Sequence, residues 1–196
     1  EPLASFESAK KQSEILVNQG LKPIITMPNH WEIWLPIEHK DKVNENFSIR
    51  RTNINFEIIP FLINKYTNQK LDGPISVMSN EVIKINEINY GKNFYLIKDS
   101  YGTWTLVQKL SFAEYLKGVL PHEIGANSPL EALKAQAVIA RTWAIYNSNR
   151  FEADKFHLCV TTQCQVYKPA IPNKIIEKAI IETQNKVLVF EGEPIN

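Results

Sequence analysis

Apolar and polar residues follow a helical pattern at the start of the chain and then alternate as in strands. Residues 5–19 place apolar side chains at nearly helical spacing, with Ser5 as N-cap and Gly20 as the stop signal. Apolar and polar residues then alternate over 31–35, a segment that lies between prolines. The first 36 residues therefore predict one helix followed by two short strands.

A second pattern covers residues 56–107, where the apolar residues come in short alternating runs. Turn signals separate these runs, namely a Gly-Pro pair at 73–74 and Tyr-Gly pairs at 90–91 and 101–102. This pattern predicts a β-rich section. The polar segment 38–52 before it is typical of a linker. We therefore predict two domains, residues 1–50 and residues 56–196.

Two helix start signals follow the β-rich section. Ser111 and Glu114 are spaced as a capping box, and the helix that they begin is expected to end before Pro121, which removes an amide from the hydrogen-bond ladder. Ser128 and the glutamate three residues later form a second capping box. The helix after it, residues 130–147, carries small apolar residues on one face, which allows another element to approach closely.

The last third of the chain predicts shorter elements. Residues 161–167 alternate in polarity, which favours a strand with Gln165 and Tyr167 on one face. A helix is expected at 173–183, followed by a strand and turn over 186–195 whose return arm we expect beyond a truncated C-terminus. The predicted class is α+β: a small N-terminal helix and strand module, a β-rich section and a capped helical region.

Composition and charge narrow the function classes. The chain has 196 residues, of which 44% are apolar and 22% charged, as in an ordinary globular protein. The formal net charge of +1 gives no electrostatic support for nucleic-acid binding. No apolar stretch is long enough for a membrane span. Because the first residue is Glu1 and not Met, we expect that an export signal or anchor has been removed.

The two cysteines, Cys159 and Cys164, stand close together. Three interpretations remain open: a small disulfide or redox pair, two plain thiols, or part of a zinc site. A zinc site needs four ligands, and only His157 lies near the pair, because the residue beside Cys164 is Gln163.

The densest group of chemically interesting residues lies between residues 114 and 144. His122 and Glu123 occupy the short connection between the two capped helices, next to a proline, which is a suitable place to present one acid to a substrate. The alternative is that Glu123 only complements the dipole of the following helix.

Lys134 and Arg141 are two helical turns apart, so their side chains project from the same side of a helix. This arrangement suits an anionic or polar substrate, and it equally suits two ordinary surface cations. Gln136 and Thr142 on the same helix are ambiguous in the same way. Tyr167 either stacks on a sugar ring or packs against the protein.

The stretch EYLKGVLPHEIGANSPLEALKAQAVIART at 114–142, followed by FHLCVTTQCQVY at 156–167, resembles the SpoIID/LytB family, named for stage II sporulation protein D and amidase enhancer. The resemblance covers roughly residues 72–196. It implies action on bacterial peptidoglycan, as a lytic transglycosylase that cleaves peptide-stripped glycan strands to 1,6-anhydro products. The catalytic glutamate of the family falls on Glu123, and Lys134 and Arg141 match positions implicated in function.

Under this resemblance Glu123 is the single general acid and base, and we expect its carboxyl group to be partly desolvated. The expected substrate-binding residues are His122, Lys134, Gln136, Arg141, Thr142, Gln165 and Tyr167. Because Gln163 replaces a histidine that relatives use for zinc, we predict no metal, and we predict no cofactor.

The resemblance leaves a second function open, which is a non-catalytic peptidoglycan-binding enhancer of an N-acetylmuramoyl-L-alanine amidase. Under either function the expected partners are glycan strands, with a cell-wall amidase in the second case. The segment 5–36 also resembles part of a SPOR domain, a small module that binds peptide-stripped glycan. These resemblances imply an extracytoplasmic location, in the periplasm or cell envelope.

Overall fold

The computed structural model describes residues 3–43, 47–54, 59–91, 93–171 and 173–196. The chain divides into two compact units. The first unit comprises residues 1–75, 96–106 and 150–156, and the second comprises residues 76–95, 107–149 and 157–196. The predicted domain start at Phe56 lies outside the described residues, and the division into 1–50 and 56–196 stays a prediction.

The first unit begins with the predicted helix and strand pair. Helix α1 spans Phe6–Asn18, and the Ser5 side chain accepts a hydrogen bond from the Ser8 amide at its start. Strands β1 (Ile24–Thr26) and β2 (Glu32–Trp34) pair antiparallel. The predicted helix and strands are confirmed, while the resemblance of this segment to a SPOR domain stays a prediction.

An aromatic cluster forms the core of the first unit. The Trp31 side chain is 2% exposed, and its ring centroid lies 5.2 Å from that of Phe6 and 5.2 Å from that of Phe151. The buried Arg150 guanidinium lies over the Phe6 ring and pairs with Glu7 at 2.5 Å. Stacking of a cation on these faces lets the unit bury a charge that a carboxylate balances.

The middle of the chain is β-rich, as predicted, in its described residues. A 3-10 helix, Ile37–Lys42, lies where the linker was expected. Strands β3 and β4 pair with each other, as do β6 and β7, and β5, β8 and β9 form a sheet in the order β5-β8-β9. Their bounds are Phe61–Ile63, Asn68–Lys70, Ile75–Met78, Lys84–Ile85, Ile88–Asn89, Asn93–Lys98 and Trp104–Val107 for β3 to β9.

Three helices form the core of the second unit: α2 (Phe112–Leu120), α3 (Leu130–Tyr146) and α4 (Lys174–Glu182). Each contributes fully or nearly fully buried apolar side chains, and those of α3 include two alanines that permit close approach. The buried set is Leu116, Val119, Leu120, Leu133, Ala137, Ala140, Ile176, Ala179 and Ile180. This mixture of helices and small sheets confirms the α+β class.

The start of α2 confirms its predicted capping box, α4 has an asparagine cap that was not predicted, and the start of α3 corrects a predicted cap. Ser111 and Glu114 make both hydrogen bonds of the capping box, and Asn173 accepts from the first amides of α4. Ser128 does not cap α3, because its hydroxyl donates to the Ile124 carbonyl oxygen at 2.5 Å, and Pro129 takes the N-cap position without a side-chain bond.

Two further predictions are wrong. Residues 161–167 form turns and irregular backbone and not a strand. The return arm of the C-terminal hairpin lies within the chain, because β10 (Val189–Phe190) pairs antiparallel with β11 (Glu193–Pro194). In the described part of the chain, no helix has the length and apolar character needed to cross a membrane.

Candidate functional site

The second unit presents Glu123 on a widened helical turn. Helix α2 ends at Leu120, before the proline, as predicted, and a π-helical turn, Pro121–Gly125, follows it directly. Gly125 ends this turn at φ +89°, a conformation that glycine adopts without strain, and Ser128 bonds back to its last carbonyls. Single π-turns of this kind are frequent at functional sites because they re-aim side chains.

His122 and Glu123 both point into solvent from this turn. Glu123 is exposed, so the expectation that its carboxyl group is partly desolvated is wrong for the protein without substrate. The Glu123 carboxylate makes no hydrogen bond or ion pair within the described residues. By contrast, the acidic residues of α2, α3 and α4 are all engaged by a cap or a lysine; they are Glu114, Glu131, Glu177 and Glu182.

Tyr115 lies close enough to Glu123 to be influenced by its charge, and two further side chains contact Tyr115. The Tyr115 hydroxyl donates to the Gln165 side-chain oxygen at 2.8 Å, and the Tyr115 ring stacks on Tyr167 with centroids 6.1 Å apart. We call Tyr115, Gln165 and Tyr167 the tyrosine cluster. Burial raises the pKa of Tyr115, and the negative charges of Cys164, Cys159 and Glu123 raise it further.

Tyr167 is held against α2 by an unusually close approach of two backbones. The Lys168 amide donates to the Gly118 carbonyl oxygen at 3.3 Å. A Cβ atom on residue 118 would lie 2.5 Å from the Lys168 carbonyl oxygen and closer still to the Tyr167 ring. Only glycine fits at this position, so Gly118 sets the distance between α2 and the cluster.

The cysteine loop leads directly into the same cluster. Cys159 and Cys164 are two thiols in this structure, with their sulfur atoms 2.8 Å apart. The predicted disulfide stays a prediction. Within the part of the chain that the structure describes, no group of three or more His, Cys, Asp or Glu side chains is arranged to hold a metal ion.

Lys134 and Arg141 both reach the C-terminal end of α4, which confirms that they share one side of α3. The Lys134 ammonium pairs with Glu131 at 2.8 Å and with Glu182 at 2.5 Å. Arg141 is 5% exposed and donates to the carbonyl oxygens of Thr183 and Lys186 at 2.9 and 2.8 Å. These contacts are structural, and the predicted role of both cations in substrate binding stays a prediction.

Two further residues predicted to bind substrate, Thr142 and Gln136, also lie on α3. Thr142 is buried, donates to the Val138 carbonyl oxygen at 2.7 Å and accepts from the Leu188 amide at 2.9 Å, so it joins α3 to the C-terminal hairpin. Gln136 is half-buried on α3. Tyr115 thus lies near Glu123 and contacts both Gln165 and Tyr167, while Thr142 and Arg141 serve the packing of the unit.

Tyr115 is the residue that sequence reasoning missed. Its partner Gln165 lies fifty residues further along the chain, so spacing along α2 gives no indication of the contact. The available signal was a tyrosine among the apolar residues of a buried helix, because a buried hydroxyl needs a partner.

Replacing Arg141 with methionine is expected to lower the free energy of unfolding by about 2–4 kcal/mol, because two buried carbonyl oxygens lose a charged donor. Urea denaturation measures this change. Arg141→Lys, which offers a compact ammonium in place of the planar fork, is expected to lose less. Unchanged stability combined with weaker glycan binding would contradict the structural role and support the substrate-binding prediction.

Replacing Tyr115 with phenylalanine is expected to cost about 1–2 kcal/mol of unfolding free energy, because the Gln165 side-chain oxygen is left buried without its donor. A double-mutant cycle with Gln165→Met checks the pairing, with an expected coupling of about 1 kcal/mol. Additive single and double changes would show that the hydroxyl and the amide do not depend on each other.

Comparison with known proteins gives one family match and a set of relatives. Residues 100–190 match the family model described as stage II sporulation protein, SpoIID. The chain is 41% identical over 98 residues to an uncharacterized protein of Brachyspira hyodysenteriae, covering 47% of this chain and 26% of that protein. It is 42% identical over 80 residues to the amidase enhancer of Bacillus subtilis, covering 41% of this chain and 10% of the enhancer.

Stage II sporulation protein D of Bacillus subtilis is 34% identical to the chain over 105 residues, covering 45% of this chain and 31% of that protein. The chain therefore spans less than a third of the length of each of these relatives. No solved structure matches the chain significantly.

Proposed function

Because the chain belongs to the SpoIID/LytB family through residues 100–190, we propose that it is a lytic transglycosylase acting on peptidoglycan. Its substrate is the glycan strand after removal of the stem peptides. Its product carries a 1,6-anhydro end. Under this proposal the protein works outside the cytoplasm, in the periplasm or cell envelope, where glycan strands lie.

The observation that carries the proposal is the state of Glu123. It is an exposed carboxylate without a hydrogen bond or ion pair in the described residues, and a closed π-helical turn presents it. The acids on the three neighbouring helices are all committed to caps or lysines. A carboxyl group that is held in place but unengaged is suited to exchange protons with a bound substrate.

One carboxyl group is sufficient for this reaction. Protonated Glu123 gives its proton to the glycosidic oxygen as the bond from that oxygen to C1 breaks. The resulting carboxylate then takes the proton from the C6 hydroxyl of the same muramoyl residue while O6 bonds to C1. Ordinary glycoside hydrolysis instead divides acid and nucleophile or base between two carboxylates, because a water molecule must take part.

Because Glu123 is exposed in the free protein, the bound substrate has to shield its carboxyl group from water. A glycan strand lying over the turn excludes water from the carboxyl group, which favours its protonated, proton-donating form. Tyr115 of the tyrosine cluster is influenced by the charge of Glu123, and Tyr167 is half-buried with its ring parallel to Tyr115. Sugar rings stack on such faces, so we assign Tyr167 and Gln165 to the substrate side of the site.

The test is direct. Peptide-stripped strands and strands that keep their peptides are incubated with the chain, and mass spectrometry measures 1,6-anhydro ends. We expect these ends to accumulate with stripped strands and to a much smaller extent with peptide-bearing strands. Absence of anhydro ends from both substrates, with the protein folded and bound to the strands, would contradict transglycosylation.

The second candidate function is stimulation of a cell-wall amidase. It is favoured by the 42% identity to a protein named amidase enhancer. Addition of an N-acetylmuramoyl-L-alanine amidase to intact peptidoglycan, with and without this chain, measures the effect as released stem peptide. Faster release without any anhydro product would replace the first proposal with this one.

A further inference from the structure

The loop that precedes the tyrosine cluster brings two thiols into contact. The sulfur atoms of Cys159 and Cys164 are 2.8 Å apart, and the Cys159 amide donates to the Cys164 sulfur at 3.1 Å. Both residues are half-buried, so a small reagent has partial access to them. Neither thiol takes part in the chemistry proposed for Glu123.

Two backbone hydrogen bonds fold the loop that carries the thiols. The Cys164 amide donates to the Thr161 carbonyl oxygen at 3.0 Å, and the Tyr167 amide donates to the Val160 carbonyl oxygen at 3.3 Å. A disulfide needs a sulfur separation of about 2.05 Å, so closure requires a movement of less than about 1 Å. The turn therefore holds the thiols together before any bond is made.

We propose that Cys159 and Cys164 form a thiol–disulfide exchange site, in which Cys159 attacks a low-molecular-weight disulfide and Cys164 completes an internal bridge. This inference is independent of the function proposed for Glu123. The Cys164 thiol beside it is the main cause that lowers the pKa of Cys159 to about 6, and the Thr161 hydroxyl and amide add to this effect against the opposing effect of burial. A thiolate at neutral pH is the form that exchanges.

The exchange balances as two displacements. The Cys159 thiolate bonds to one sulfur of the external disulfide and releases the other as a thiolate. The Cys164 sulfur, after losing its proton, then bonds to Cys159 and releases the second external thiolate. The protein loses two electrons and two protons, and the external disulfide gains them and becomes two thiols.

The state of the bridge reaches the tyrosine cluster through the chain itself. Gln165 directly follows Cys164, and its side-chain oxygen accepts the Tyr115 hydroxyl at 2.8 Å. Closure also removes the negative charge that the thiols place near Tyr115. Oxidation is therefore expected to change the environment of Tyr115 and Gln165 and to leave the first unit unchanged.

The experiment equilibrates the folded chain with mixtures of reduced and oxidised glutathione in the presence of a chelator. Acid quenching, alkylation and mass spectrometry then count the thiols. We expect one reversible transition from two alkylated thiols to an internal disulfide, with little glutathione adduct at any ratio. Persistence of both thiols in oxidised glutathione, or of the bridge in reduced glutathione, would overturn the exchange site.

Two matched variants identify the attacking sulfur. At pH 5.5 about a quarter of a thiol with a pKa near 6 is ionised, against about 0.1% of an ordinary thiol, although its lower nucleophilicity offsets part of this advantage. Cys164→Ser keeps a hydroxyl donor beside Cys159 in place of the thiol, and it is therefore expected to form its glutathione adduct several-fold faster than Cys159→Ser. Equal rates, or a faster Cys159→Ser variant, would overturn the assignment of Cys159.

Discussion

Replacing Glu123 with glutamine is expected to reduce the formation of 1,6-anhydro ends by at least about 10³-fold and to leave strand binding nearly unchanged. Glutamine keeps the size of the side chain but neither gives nor takes the proton in both steps of the proposed reaction. The side chain is exposed and makes no hydrogen bond or ion pair in the described residues, so its loss should not destabilise the fold. Mass spectrometry of the products and a strand pull-down measure the two effects.

Glu131→Gln is the matched control, because it makes the same chemical change on an exposed acid whose partner is Lys134. Its product yield is expected to equal that of the unchanged chain. Anhydro ends formed at the normal rate by Glu123→Gln would show that another group supplies the proton. A parallel loss of strand binding would show instead that Glu123 holds the substrate.

Replacing Gly118 with alanine is expected to lower the free energy of unfolding by about 2–3 kcal/mol, although alanine normally favours a helix interior. The added methyl group would lie 2.5 Å from the Lys168 carbonyl oxygen and closer to the Tyr167 ring. The backbone of 168 cannot retreat without losing its hydrogen bond to Gly118. Urea denaturation measures the loss, and product formation should fall with it because Tyr167 is displaced.

Gly91→Ala gives the comparison for this experiment. The added methyl group there meets only the terminal amide of Gln108, a flexible group that can move aside. Its free energy of unfolding is expected to change by less than about 1 kcal/mol. A Gly118→Ala variant as stable as Gly91→Ala would show that α2 and the 167–168 backbone do not approach each other so closely.

The features predictable from the sequence are those that local chemistry determines. The capping box of Ser111 and Glu114 closes within four residues, so its pattern suffices. The same holds for α1 and for the hairpin of β1 and β2. The alternation in the middle of the chain likewise predicted strands, because a period of two residues depends on the strand alone.

The errors arise where contacts distant in sequence compete with local signals. Ser128 has the spacing of a cap, but its hydroxyl bonds to the carbonyl of Ile124 in the preceding turn. Helix α2 ends before Pro121, as predicted, but the π-turn that follows it was not predicted. Residues 161–167 alternate as a strand does, yet no neighbouring strand pairs with them in the described structure.

In the candidate site, too, local features were predicted from the sequence and contacts between distant residues were not. Glu123 was identified by its place between two helices and by resemblance, and the structure exposes it on its own turn. The common orientation of Lys134 and Arg141 followed from helical geometry. Their partners at the end of α4 did not, because Glu182, Thr183 and Lys186 lie more than forty residues away. Tyr115 was missed for the same reason.

The bonds from Arg141 to the end of α4 also determine how the protein responds to acidity. A guanidinium group stays protonated throughout the pH range in which proteins stay folded, and carbonyl oxygens do not titrate in that range. The hydrogen bonds from Arg141 on α3 to the Thr183 and Lys186 carbonyl oxygens therefore keep their charge state while carboxyl, imidazole and thiol groups change theirs. A pH–rate profile of this protein should consequently contain no contribution from the loss of these Arg141 bonds.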